Sequence, residues 1–207
     1  MIKNVVFDFG QVLVHFKPEY MVRQYVNDDE DVKLLSRVVF DRLYWDRLDL
    51  GTITDKETIE LCRQRLPERL WDVAEKIHWN WIYNIPEIDG MKELIKYIKE
   101  RHEVGVFVLS NISHYFADHS GEIDILRHAD DCVFSARIGI TKPDHRIFAH
   151  MCQKFNINPD ETIFVDDNEN NIKSAIEFGL KGYLFDGDAE KLRKYIDGAL
   201  GGENDEK

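Results

Sequence analysis

Three short apolar runs, each ending on polar residues, constrain the fold of this chain more than any other feature. Val5, Val6 and Phe7 end at Asp8, residues 104–109 (VGVFVL) end at Ser110, and residues 162–165 (TIFV) end at Asp166 and Asp167. The runs are nearly continuous in apolar residues rather than alternating, which is the pattern of strands buried on both faces of a parallel sheet. Residues 132–134 and 183–185 are shorter candidates of the same kind. Helical patterns lie between them. In residues 91–99, Met91, Leu94, Ile95 and Ile98 share one face, and 146–155 and 170–178 read similarly, with Gly179 placed to end the last. Strand and helix in alternation predict an α/β fold, a Rossmann-like parallel sheet flanked by helices.

One stretch breaks the alternation. Residues 17–84 contain helical patterns at 19–26, 31–40, 56–65 and 68–83 and no convincing strand, with a turn at 51–55 in which Thr54 is an N-cap candidate. The expected organisation is a core of residues 1–16 and 85–200, a small helical insert at 17–84 after the first strand, and a disordered tail at 201–207. Hydrophobic residues at 43% and charged residues at 32% are an ordinary globular balance. No apolar run approaches the roughly 18 residues of a membrane span, and the N-terminus carries no signal-peptide pattern. Cys62, Cys132 and Cys152 are widely spaced and odd in number, so reduced thiols and a cytoplasmic setting are expected. The net charge of -12 argues against nucleic acid and anionic membranes as partners.

Ligands of open parallel sheets bind beyond the carboxyl ends of the strands. The polar residues of this chain gather there, joined by a Thr141-Lys142-Pro143 loop. Clustered carboxylates repel one another unless a cation sits among them. Asp8, Asp166 and Asp167 therefore imply a hard divalent ion, and Mg²⁺ suits oxygen ligands.

Taken in order, VVFDFGQVL (5–13), VLSN (108–111), Lys142 in ITKPD (140–144) and FVDDNENNI (164–172) resemble the four motifs of the haloacid dehalogenase-like (HAD) hydrolases, with the helical cap of that superfamily's first cap class at 17–84. The resemblance implies a phosphatase in which Asp8 is the nucleophile and forms an aspartyl-phosphate. Lys142 then neutralises the crowded carboxylates, while Ser110 and the backbone near Asn111 hold phosphoryl oxygens. Asp8, the Gly10 carbonyl and Asp166 ligate Mg²⁺, with Asp167 acting through water. One position departs from the pattern. Most phosphatases of the superfamily carry a second Asp two residues after the nucleophile as general acid, and here that position is Gly10. The sequence is closest to the branch with D-[LF]-G-x-V in the first motif, which includes a sugar-phosphate phosphatase active on glucose 1-phosphate. Without that acid, turnover should depend steeply on leaving-group acidity, since general acid catalysis contributes about 10²–10⁴-fold. His15 and Gln11 are the nearby candidates for a substitute donor, an exposed hinge position being the alternative reading of His15.

A small phosphorylated metabolite, acted on by a monomer or homodimer, is the expected substrate. Arg42, Tyr44, Trp45 and Arg47 cluster ahead of Gly51, where an insert loop could face the site; Arg42 and Trp45, with His15, are the candidate substrate contacts, the alternative being that Tyr44 and Trp45 belong to the core of the insert and the arginines are solvated. The rival readings are a haloacid dehalogenase, which needs no metal and lacks the paired Asp, and a degenerate member that binds a phosphorylated ligand without turnover. The triplet Asp8-Phe9-Gly10 also spells a kinase metal motif, but no Gly-rich or HRD loop accompanies it.

Overall fold

The structure, a computed structural model, describes residues 1–102 and 104–201. Of the tail expected at 201–207, residues 202–207 lie outside the described residues, and Gly201 is described as a turn. Five parallel strands form one sheet: β1 (Asn4–Phe7), β2 (Gly105–Ser110), β3 (Asp131–Phe134), β4 (Thr162–Asp166) and β5 (Lys181–Leu184), in the order β3-β2-β1-β4-β5. The last strand begins two residues before the apolar run that announces it. It is an edge strand of mixed exposure, so hydrophobicity alone does not mark its start.

Alternation along β1 sends Val5 and Phe7 into one core and Val6 into another. On the second face Val6 packs with Phe148, Met151 and Phe164. The first face is continuous with the helical insert, which comprises α1 (Pro18–Arg23), α2 (Asp29–Val39), α3 (Arg42–Asp49), α4 (Asp55–Arg63) and α5 (Trp71–Asn80). An aromatic cluster joins the two: Phe16 and Trp45 centroids lie 5.3 Å apart, Trp45 and Trp81 5.0 Å, and Trp81 and Phe116 5.6 Å.

The helix α3 stands where the sequence suggests a loop. It is short and strongly polar, but Asp41 caps it by accepting from the Leu43 N–H at 2.9 Å, and Arg42 pairs with Asp46 one turn on at 2.7 Å. Thr54 caps α4 as expected, in a capping box with Glu57. The remaining helices flank the sheet: α6 (Met91–His102), α7 (His114–His119), α8 (Ser135–Ile138), α9 (His145–Phe155), α10 (Glu169–Phe178) and α11 (Ala189–Leu200). Gly179 ends α10 with φ +112°. Met91, Leu94, Ile95 and Ile98 of α6 are all buried.

Candidate active site

Strand order reverses at β1, because the chain builds outward to β2 and β3 and then crosses back to lay β4 on the other side. Register makes this crossing a site. Phe7 pairs with Val165, so Asp8 follows β1 alongside Asp166 at the end of β4, and the Asp8 N–H donates to the Val165 carbonyl at 2.8 Å. Phe7 also pairs with Val108, so Ser110 closes β2 just beyond the level of Asp8.

Lys142 is buried between the acids. Its Nζ lies 2.8 Å from Asp8 Oδ1 and 2.7 Å from Asp166 Oδ2, and it donates to the Leu109 carbonyl at 3.1 Å. Burial works against its charge most strongly, yet Asp166 and Asp8 together hold its pKa above the ordinary lysine range. Asp8 is pushed up to about 7, by burial first and by the Asp166 charge as well, because it shares its one cation with another carboxylate. Asp167, more exposed, is also raised by partial burial and by Asp166. Asp166 is fixed on the other side by the Asn168 N–H at 2.8 Å and by the Asn171 amide at 3.1 and 3.0 Å.

Carboxylate oxygens of Asp8, Asp166 and Asp167 lie within 4.8 Å of one another. One lysine does not balance three acids at that distance. Gly10 lines the same cavity, and among the described residues no donor reaches its carbonyl oxygen. Hard oxygen donors with excess negative charge fit a divalent ion such as Mg²⁺.

The cavity, of about 730 Å³, is lined by Asp8, Gly10, Ser110, Asn111, Lys142 and Asp167 from the strand ends and by Phe16, Arg42, Trp45 and Asp49 from the side of the insert. That size suits a small metabolite. Ser110 is not a helix cap. Ser113 caps α7, and among the described residues no hydrogen bond engages the Ser110 hydroxyl. The Asn111 amide is committed to the backbone of Lys142, donating to its carbonyl at 3.0 Å while its Oδ1 accepts from the Lys142 N–H at 2.8 Å, across a loop whose Lys142–Pro143 peptide is cis. What Asn111 offers the cavity is its backbone N–H, which has no acceptor among the described residues.

Among the residues expected to contact substrate, His15 does not line the cavity; its N–H donates to the Pro86 carbonyl as the chain leaves toward the insert. Arg42 lines it with a side chain 81% exposed. Trp45 reaches the cavity only as the edge of a core ring, 7% exposed, with its indole N–H donating to the Val39 carbonyl at 2.7 Å. Tyr44 is buried and Arg47 exposed, and neither lines the cavity. Gln11 does line it, but its Oε1 accepts from the Phe16 N–H at 3.0 Å, holding a loop in which Gln11 itself has φ +57°.

The residue the sequence reading passes over is Asp49. It is 8% exposed, lines the cavity from α3, and is pushed up to about 7 by burial, with Asp46 and Asp8 adding to the rise against Arg42 and Lys142. The signal was its spacing. Arg42, Trp45 and Asp49 are i, i+3 and i+7, one helical face, visible only once the segment is read as a helix.

The chain resembles known proteins along most of its length. D-ribitol-5-phosphate phosphatase of Bacteroides thetaiotaomicron is 28% identical over 196 residues, 88% of this chain and 91% of that protein. The fold is shared with a HAD family enzyme of the same organism, solved with magnesium and inorganic phosphate (TM-score 0.65, 21% identity, 93% of this chain and 99% of that one). It is shared equally with the L-2-haloacid dehalogenase of Xanthobacter autotrophicus (TM-score 0.66, 17% identity, 88% and 76%). A model of the haloacid dehalogenase-like hydrolase family matches residues 2–179, and this chain belongs to that family of hydrolases.

Proposed function

We propose that this hydrolase is a magnesium-dependent phosphatase of a small phosphorylated metabolite, with sugar and sugar-alcohol phosphates as the favoured class, acting through an aspartyl-phosphate on Asp8. The observation that carries the reading is the second acid: Asp166 and Asp167 stand together beside Asp8, leaving a carboxylate surplus that Lys142 does not balance. The 28% identity to a sugar-alcohol phosphate phosphatase supports the substrate class.

In this reading an Asp8 carboxylate oxygen attacks phosphorus. The Ser110 hydroxyl and the Asn111 N–H take phosphoryl oxygens, and Lys142 keeps Asp8 oriented and offsets the charge gathered around it. Asp8, Asp166, Asp167 and the Gly10 carbonyl would hold Mg²⁺, which when bound supplies charge neutralisation for the transferring group. Residues 17–84 act as a cap over a core of 1–16 and 85–200 and bring Arg42 to the substrate. The protein works on its small substrate as a monomer or homodimer. A cytoplasmic setting is supported by three free cysteines, and among the described residues no helix is long and apolar enough to cross a membrane.

A panel of phosphorylated metabolites assayed with Mg²⁺, and again with a chelator, tests this. Phosphate release that is lost on chelation and restored by Mg²⁺, with acid-trapped phosphate on Asp8, is the expected result. Full turnover of a halo acid in metal-free buffer would overturn it.

A further inference from the structure

Gly10 leaves the reaction without the acid that its neighbourhood would ordinarily supply, and the cavity holds one carboxyl that the reading above does not use. Asp49 sits on the last turn of α3 and lines the same cavity as Asp8. Its burial is not that of a structural acid. Among the described residues no hydrogen bond or ion pair reaches its carboxyl, although Arg42 stands on the same helical face and spends its charge on Asp46. A carboxyl on a largely buried residue that opens on a cavity and is bonded to nothing around it is placed for chemistry there.

The backbone of Asp49 is by contrast firmly held. Ser135, at the end of β3, donates from Oγ to the Asp49 carbonyl at 2.5 Å and accepts on the same oxygen from the Ile112 N–H at 2.8 Å. Two residues on, Gly51 has φ +72°, and a Cβ there would lie 2.8 Å from the Ala136 carbonyl oxygen and 2.9 Å from His114 Nε2. The end of α3 is thus seated directly on the loops that follow β2 and β3.

We infer that Asp49 is the general acid and base of this enzyme, reaching the substrate from the insert in place of the acid absent at Gly10. The inference rests on the phosphatase reading. In the first half-reaction the Asp8 oxygen bonds to phosphorus, the bond to the ester oxygen breaks, and that oxygen takes the Asp49 proton. In the second a water attacks phosphorus, its proton goes to the Asp49 carboxylate, the bond from phosphorus to Asp8 breaks, and inorganic phosphate leaves. The charged groups facing Asp49 are Arg42 and Asp46 from α3, Asp8 after β1 and Lys142 ahead of α9, with His114 of α7 beside Gly51. Burial, the largest influence on it, keeps the carboxyl protonated to about 7, where a donor is useful. His15, which the sequence offers for this task, is not in the cavity lining. A donor at Asp49 also replaces the steep leaving-group dependence expected from Gly10 alone with a shallow one.

The experiment compares kcat/KM for aryl phosphates of graded leaving-group acidity and for an alkyl phosphate, in the wild type and in Asp49→Asn. The expected result is a shallow dependence in the wild type and a steep one in the variant. The variant loses about 10²–10⁴-fold on the alkyl phosphate and under about tenfold on dinitrophenyl phosphate. The fall in wild-type kcat/KM for the alkyl phosphate as pH rises past the Asp49 pKa should vanish in Asp49→Asn. Adding Gly10→Asp to that variant should return alkyl phosphate turnover, since Gly10 lacks a positive φ and a Cβ there meets nothing within 4 Å. An equal loss on every leaving group, with the pH profile unchanged, would overturn the role of Asp49 and leave the phosphatase reading intact. A wild type that never labels Asp8 and cleaves no phosphate ester would overturn both.

Discussion

The strand ends and the α3 face bring carboxyl groups to the same cavity by opposite means. Asp8 and Asp166 are buried among partners: Lys142 lies between them, and Asn171 and the Asn168 N–H hold Asp166 from behind. Asp49 is buried with no partner for its carboxyl among the described residues, and its backbone carbonyl is what Ser135 holds. A cation beside a carboxylate favours its charged form against burial, whereas a buried carboxyl with no bonded cation has nothing of that kind to oppose its protonation. Asp8 and Asp49 are both held near 7, but only Asp8 has a cation at bonding distance to hold its charged form for attack.

Removing the strand-end half should have the largest effect. Asp8→Asn is expected to lower kcat by more than about 10³-fold and to abolish acid-stable labelling, with circular dichroism unchanged, because Asp8 lies outside the packed cores. Substantial residual turnover would mean that nucleophilic attack does not come from β1. Unseating the insert half comes next. Gly51→Ala forces a side chain into a left-handed backbone against Ala136 and His114, at a cost of about 3 kcal/mol in chemical denaturation. It should lower turnover of alkyl phosphates more than that of dinitrophenyl phosphate, since it displaces Asp49 and spares Asp8.

A third measurement reads the solitary character of Asp49 from stability. Burial lifts its pKa from 3.8 to about 7, so the folded state resists an ionisation that the unfolded chain accepts. The resulting penalty is absent below 3.8, grows as pH rises between the two values, and is complete above about 7. Asp49→Asn should accordingly be more stable than the wild type at pH 8, on the order of 4 kcal/mol in metal-free buffer, with most of the advantage gone at pH 4. An advantage that does not vary with pH would mean that folding leaves the pKa of this carboxyl unshifted. The smallest effect is expected at Arg42, whose side chain is 81% exposed and pairs at the surface with Asp46. Arg42→Ala should change stability by less than about 0.5 kcal/mol, while raising KM several-fold if it meets the substrate.

The same contrast explains what the sequence discloses. A buried parallel strand is written as a contiguous apolar run, so Asp8, Ser110 and Asp166 announce themselves by their places at the ends of such runs. Lys142 is legible from its Thr-Lys-Pro setting, though nothing local says that it is buried or that it bridges β1 and β4. Position on a helix is written only in its periodicity. Residues 42–49 are too few and too polar to show that, since their cap and ion pair are made by ordinary surface residue types. Reading them as a loop left Arg42 and Trp45 as an undirected cluster and hid Asp49. His15 failed as a candidate for the complementary reason. Nearness to Asp8 in sequence does not follow a chain that turns away at Val14 and pairs there with Glu87.

The Ser135 hydroxyl, which joins the Ile112 N–H to the Asp49 carbonyl, has a bearing on how such an enzyme can change over evolutionary time. Through it Asp49 takes its coordinates from the segments that follow β2 and β3, although its side chain belongs to the insert. The rest of the cavity-facing surface of α3 carries no such tether. Under the proposed mechanism, substitutions there, at Arg42 above all, would retune which metabolite is accepted without redesigning the proton transfer. Selectivity and chemistry, though borne on one helix, are thereby free to drift apart.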